Sequence, residues 1–194
     1  MAKQRIVVTG AAGMLGSAIV VDLARDHLVE AIDWRTPGQL LVEAAPQVGW
    51  HQADIGDRQD LEGALRQAKR RLGSVDVVLH FAAYYHFGAD WRSEYERTNI
   101  EGVTNIVRLA TQIGVERLIF ASSTMATLPP SPGAAVSERT AADSRFPYGR
   151  SKAMGEQIVR ENSERLPAIV LRIGGVFSDW CELPPLTSLI RLWR

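Results

Sequence analysis

Cysteine is almost missing from this chain: Cys181 is the only one in 194 residues. An intrachain disulfide and a cysteine zinc cage are therefore excluded, and a reducing, cytoplasmic setting fits. Net charge is missing too. Lys+Arg and Asp+Glu both total 22, so no long-range field favours DNA, RNA or an anionic membrane as a partner. Histidine is scarce, and the four, at 27, 51, 80 and 86, show no metal-ligand spacing. A bilayer-spanning run is lacking as well. The best apolar stretch, residues 6–21, is too short, is broken by three glycines and ends in no convincing cleavage site.

What is present is an ordinary soluble composition, 46% hydrophobic and 23% charged, in a chain long enough for one domain with a sizeable core. Short apolar runs alternate with helical patterns. Residues 6–9, 28–32, 48–52, 75–81, 118–122 and 168–172 read as strands, most of them near-continuous in Val, Ile, Leu or Phe, as in a parallel sheet covered on both faces. Residues 14–25, 57–72, 91–113 and 148–165 read as helices. The second carries Leu61, Leu65, Ala68 and Leu72 on one stripe, with Asp57 as N-cap and Gly73 as its stop. Lys69, Arg70 and Arg71 close that helix, where they complement its dipole. Strand–helix–strand repetition predicts a doubly wound, three-layer α/β/α fold. The loop 127–147 is the longest irregular stretch, and a loop of that length in a compact domain is usually functional.

Gly10, Gly13 and Gly16 follow the first strand and open the first helix. Backbone N–H groups and the helix dipole at such a junction can receive a pyrophosphate, and glycine allows close approach. The G-x-x-G-x-x-G spacing alone is weak, but Asp33 ends the second strand where a carboxylate accepts from ribose hydroxyls. A carboxylate there favours NAD over NADP, while Arg35 pulls the other way; a plain turn residue is the competing reading of Asp33. Asp54 stands where a side chain meets the adenine, or simply starts a turn. Tyr148 and Lys152, in "YGRSK", share one helix face. A free tyrosine titrates near pH 10, and a base useful at pH 7 must lie about three units lower, a shift of roughly 4 kcal/mol for an ammonium and a cationic nicotinamide to supply together. "FASSTMAT", 120–127, puts small hydroxyls at a strand end facing the ligand crevice. Tyr84, Tyr85 and His86 stand at the crevice mouth, as substrate contacts or as loop packing. No Gly-Lys-Ser/Thr follows the glycines, which excludes a P-loop.

Together the motifs "TGAAGMLG", Asp33, "ADIGD", "HFAA", "TNIEGVTN", "SST", "PYGRSK" and "LRIGGVF" resemble the extended short-chain dehydrogenase/reductase family, the NAD-dependent sugar epimerases and dehydratases. The resemblance implies a Rossmann-like domain over residues 1–175 and, over 176–194, the start of a truncated substrate-binding region. It implies a catalytic set of Ser123, Tyr148 and Lys152, with Thr124 an alternative to Ser123. It implies cofactor contacts at Gly10, Ala12, Gly13, Met14, Leu15, Asp33, Asp54, Ile55, Phe81, Ala82, Ala83 and Asn99, besides Tyr148 and Lys152. The cofactor implied is NAD before NADP, the substrate a nucleotide sugar or related polyol, and the assembly a homodimer through two long helices. The Ala126-Thr127-Leu128 run departs from the family's Val-Tyr-Gly at this place, which puts a standard UDP-sugar pocket in doubt. A ketone or aldehyde reductase using the same residues and a non-catalytic dinucleotide sensor are the alternatives. The family's chains usually continue well past this point, so weak turnover is expected of the 194 residues alone.

Overall fold

The computed structural model describes residues 2–86 and 88–176. Six strands form one sheet: β1 (Arg5–Thr9), β2 (Leu28–Asp33), β3 (Gly49–Gln52), β4 (Val77–His80), β5 (Arg117–Ser123) and β6 (Ala168–Ile173). Every pair is parallel, in the order β3-β2-β1-β4-β5-β6. This is the expected doubly wound sheet, and the strand order reverses between β1 and β4. In such sheets the crevice outside the carboxyl ends at that reversal receives ligands.

The helices are α1 (Met14–Leu23), α2 (Gln39–Ala44), α3 (Arg58–Leu72), α4 (Gly102–Ile113) and α5 (Pro147–Glu161). Alternate residues of the strands feed two cores. Val7, Ile32, Val78, Leu118 and Phe120 pack with Leu61, Leu65, Ile106 and Val159 on one face. Ile6, Val8, Val29 and Ala31 pack with Val20 and Ala45 on the other. Asp57 caps α3 through the backbone N–H groups of Gln59 and Asp60, and Gly73 ends it at φ +83°.

Two expected helices differ in extent, and one helix was not expected. The helix expected over 91–113 starts later: Tyr95–Glu101 is a π-helical segment, with Gly102 N–H bonded to Arg97 O, before α4 proper. The last helix stops at Glu161 rather than 165, where Asn162 turns its amide back onto Ile158 O at 2.8 Å. The short α2 went unread because "TPG" and "AAPQ" suggest only turns. The basic run at the end of α3 also does more than face the dipole. Arg71 Nε donates to the buried Glu30 at 2.8 Å and Lys69 Nζ to Ile113 O at 2.8 Å. Beyond Val176, the expected substrate region lies outside the described residues.

Candidate functional site

A cavity of about 560 Å³ opens at the carboxyl ends of β1, β4, β5 and β6, within the range of small-molecule sites. One wall is the β1–α1 turn, with Gly10, Gly13, Met14, Leu15 and Gly16. Gly10 is at φ +70°, and a Cβ there would lie 2.4 Å from Ala82 N. A Cβ on Gly16 would lie 2.1 Å from Gly10 O. The turn is therefore drawn as tight as two backbones allow. No side chain caps α1, so its first-turn N–H groups have no partner within the helix. That is a cradle for an anion, shaped by the absence of side chains.

The opposite wall holds Ser123, Thr124, Tyr148 and Lys152, and the cavity also touches Phe81, Ala83 and Tyr85. Strand alternation separates the two serines of "SST". Ser122 borders the cavity too, but its hydroxyl is committed to Glu156 Oε1, to which it donates at 2.6 Å. Ser123 lines the cavity and its Oγ accepts from Met125 N–H at 3.1 Å. Lys152 Nζ is buried, donates to Ala121 O at 2.9 Å and lies 5.1 Å from the Phe120 ring centroid. With one hydrogen bond among the described residues to replace water, burial pushes the Lys152 ammonium down to about 8.

The protein by itself does not acidify the Tyr148 phenol. Burial pushes it above its ordinary value, and Tyr85 and Tyr95 push the same way. All four tyrosines of the sequence gather here. Tyr85 meets Tyr148 edge-on at 4.7 Å, Tyr84 meets Tyr95 edge-on at 5.1 Å and stacks on His86 at 6.4 Å. The aromatic run after β4 is thus a packed cluster that lends one ring, Tyr85, to the cavity.

Several expected cofactor contacts fall outside the cavity lining. Asn99 is a strut: Oδ1 accepts from Tyr84 N–H at 2.7 Å, while Nδ2 donates to Tyr84 O at 2.9 Å and Ser151 Oγ at 2.8 Å. It pins the loop after β4 to α5, one turn of which carries both Tyr148 and Lys152. Ile55 is packed in the core, and Ala82 backs Gly10. Asp54 pairs with Arg97 and accepts from Gly56 N–H at 2.8 Å. Asp33 is buried beside the glycine turn, accepting from Ala12 N–H at 2.9 Å and from Arg35. The sequence reading missed Gly174 and Gly175, which line the cavity just past β6; a glycine pair directly after a strand was the available signal. Among the described residues, no group of three His, Cys, Asp or Glu is placed to hold a metal. Nor is any helix among them long and apolar enough to cross a membrane.

The glycine turn and the Tyr–Lys wall across one sheet-edge cavity agree with what comparison finds. The model of the NAD dependent epimerase/dehydratase family matches residues 6–189. The chain belongs to that family. Its similarity to an L-arabinose 1-dehydrogenase (NAD(P)(+)) of Haloferax volcanii is 34% identity, over 88% of this chain and 66% of the relative. A UDP-glucose 4-epimerase of Streptococcus mutans is 30% identical over 80% of this chain and 46% of the relative. Among solved structures, the Bordetella bronchiseptica enzyme WbmG in complex with NAD and UDP superposes with a TM-score of 0.83 at 25% identity. That match covers 98% of this epimerase/dehydratase-family chain and 59% of WbmG. The chain spans between about half and two thirds of the length of these relatives.

Proposed function

We propose that the chain is the dinucleotide-binding and catalytic part of an NAD-dependent oxidoreductase acting on a hydroxyl-bearing carbon of a nucleotide sugar or related polyol. The observation that carries this reading is the single cavity shared by the side-chain-free turn Gly10–Gly16 and by Ser123, Tyr148 and Lys152. The turn suits a diphosphate because glycines at 10, 13 and 16 present no side chain to it. It keeps its shape only without a Cβ at Gly10 or Gly16, which would run into the backbone of Ala82 or of Gly10. When bound, the dinucleotide supplies a reversible hydride acceptor and, oxidised, a positive charge. Tyr148 exchanges a proton with the substrate hydroxyl through Oη. Lys152 stabilises the phenolate electrostatically and stands ready to donate to a ribose hydroxyl. Ser123 Oγ steadies the substrate oxygen as its charge changes. Since burial keeps the Tyr148 phenol protonated in the protein alone, the base is armed by ligand binding and not before.

The relatives support the substrate class, since several act on UDP- or dTDP-sugars. A homodimer and a cytoplasmic setting belong to the same reading and rest on the sequence alone. Calorimetric titration with NAD+ and NADH tests the cofactor: both bind, and Tyr148→Phe keeps that binding while turnover on nucleotide sugars falls at least about 100-fold. A folded chain that binds neither dinucleotide, or a Tyr148→Phe variant with full turnover, overturns the proposal.

A further inference from the structure

We propose that the chain carries a second ligand site, for a phosphate monoester of sugar size, in the cavity between residues 142–145 and α5. The cavity holds about 400 Å³ and shares no residue with the cavity of the glycine turn. Arg145 and Arg150 border it. Both are exposed, and neither side chain makes a hydrogen bond or an ion pair to the described residues. The Arg150 guanidinium lies over the face of Trp91, 5.2 Å from the ring centroid, a contact that orients the fork and leaves its N–H groups for a ligand.

Ser144 separates this cavity from a chance pair of surface cations. It borders the cavity, is 6% exposed, and its Oγ is buried without a hydrogen-bond partner among the described residues. Buried hydroxyls are usually partnered, so this one lacks an acceptor. It lies against the first turn of α5, where a Cβ on Gly149 would stand 2.3 Å from it. One torsion turns a serine hydroxyl from such a position toward an occupant. No side chain caps α5, so the positive end of its dipole adds to the attraction.

The donor set decides the ligand. Two guanidinium forks and a hydroxyl make three donor groups, and a phosphate monoester presents three outer oxygens where a carboxylate has two. One carboxylate, Asp143, also borders the cavity, with its Oδ1 accepting from Leu128 N–H at 3.2 Å. It leaves the lining net positive and gives a sugar hydroxyl an acceptor. Ala153 and Met154 supply an apolar wall, and the volume exceeds what a bare phosphate fills.

The experiment is calorimetric titration of the whole chain with glucose 1-phosphate and, separately, with inorganic phosphate, for wild type, Arg145→Gln, Arg150→Gln and Gly16→Ala. Wild type binds glucose 1-phosphate with a Kd below about 1 mM, and inorganic phosphate at least about tenfold more weakly. Each arginine variant keeps the wild-type circular dichroism, since both side chains are exposed, and loses at least about tenfold in glucose 1-phosphate affinity. Gly16→Ala, altered in the other cavity, loses none. No binding at about 10 mM, or binding that survives both arginine substitutions, overturns the site. Binding lost in Gly16→Ala assigns the phosphate to the glycine turn, which overturns this site and leaves the dinucleotide reading standing. Inorganic phosphate that binds as tightly as the ester overturns the ligand class.

Discussion

Arg172 and Glu156 form a two-bond ion pair inside the protein, Nε to Oε1 at 2.9 Å and Nη2 to Oε2 at 2.7 Å. Three elements meet there. Arg172 is on β6, Glu156 is one helical turn past Lys152 on α5, and Ser122 of β5 adds a third bond to the same carboxylate. Arg172 Nη1 also donates to Thr140 O at 2.6 Å, tying down the long loop that leads into α5. The helix that bears Tyr148 and Lys152 is therefore fixed in register against the strand that bears Ser123.

Removing one partner of such a pair leaves a buried charge uncompensated, which costs about 3–5 kcal/mol. Arg172→Met is expected to lower the urea-unfolding free energy by about 3 kcal/mol, and Glu156→Leu added to it to restore most of the loss. A single variant within about 1 kcal/mol of wild type would show that Ser122 and Arg160, whose Nη2 lies 3.9 Å from Oε2, suffice for Glu156.

His80 gives a second, pH-dependent prediction. Its Nδ1 is 2.6 Å from Thr9 Oγ1, its ring stacks on Phe120, and its Nε2 is buried without a hydrogen-bond partner among the described residues. Burial, with Lys152 nearby, pushes its pKa down to about 3. The unfolded chain then binds more protons than the folded one between pH 3 and 6.5, so stability falls with acid across that window. From pH 7 to pH 5 this one group removes about 2 kcal/mol. His80→Gln is expected to flatten the urea midpoint over that range, and an undiminished slope in the variant would assign the acid sensitivity elsewhere.

Most of the sheet could be read because its strands are covered on both faces: "IVVT" and "LIFASS" are apolar almost without interruption. The glycine triplet and the Tyr148–Lys152 spacing were legible for a related reason, since each is a local pattern with a local geometric consequence. What stayed hidden was set by partners distant in sequence. Nothing near Asp33 says that Ala12 N–H occupies one of its oxygens, and nothing near Asn99 says that it spans from Tyr84 to Ser151. The burial of Tyr148 was hidden similarly. The spacing gives the ammonium that lowers a phenol's pKa but not the burial that raises it more.

The turn between β1 and α1 predicts a separation of binding from folding. Gly16→Ala puts a methyl group 2.1 Å from Gly10 O, where backbone must move. The sheet and α1 survive, because Gly16 lies in the first turn of that helix rather than in the central core. The expected result is a folded protein by circular dichroism, destabilised by about 1–3 kcal/mol as in other overpacked sites, with NADH affinity down at least about tenfold. Undiminished NADH binding would mean that the diphosphate does not lie on this turn.

Lys152 supplies the last test, and one that needs no ligand. The chain has three lysines, at 3, 69 and 152, so lysine labelled with ¹³C at Cε gives three resonances to follow against pH. The Lys152 signal is expected to titrate with a midpoint of about 8. Its folded pKa lies below the unfolded value of 10.5, so between the two the unfolded state holds the extra proton and stability rises with pH. Between pH 7.5 and 9.5 the gain is about 2 kcal/mol relative to Lys152→Met, read from paired urea titrations. The direction follows from a charge buried with only Ala121 O among the described residues to receive it. A Lys152 midpoint at or above 10.5 would mean that a second acceptor reaches Nζ in solution, and that this amine is held as a permanent cation instead of one poised to lose its proton.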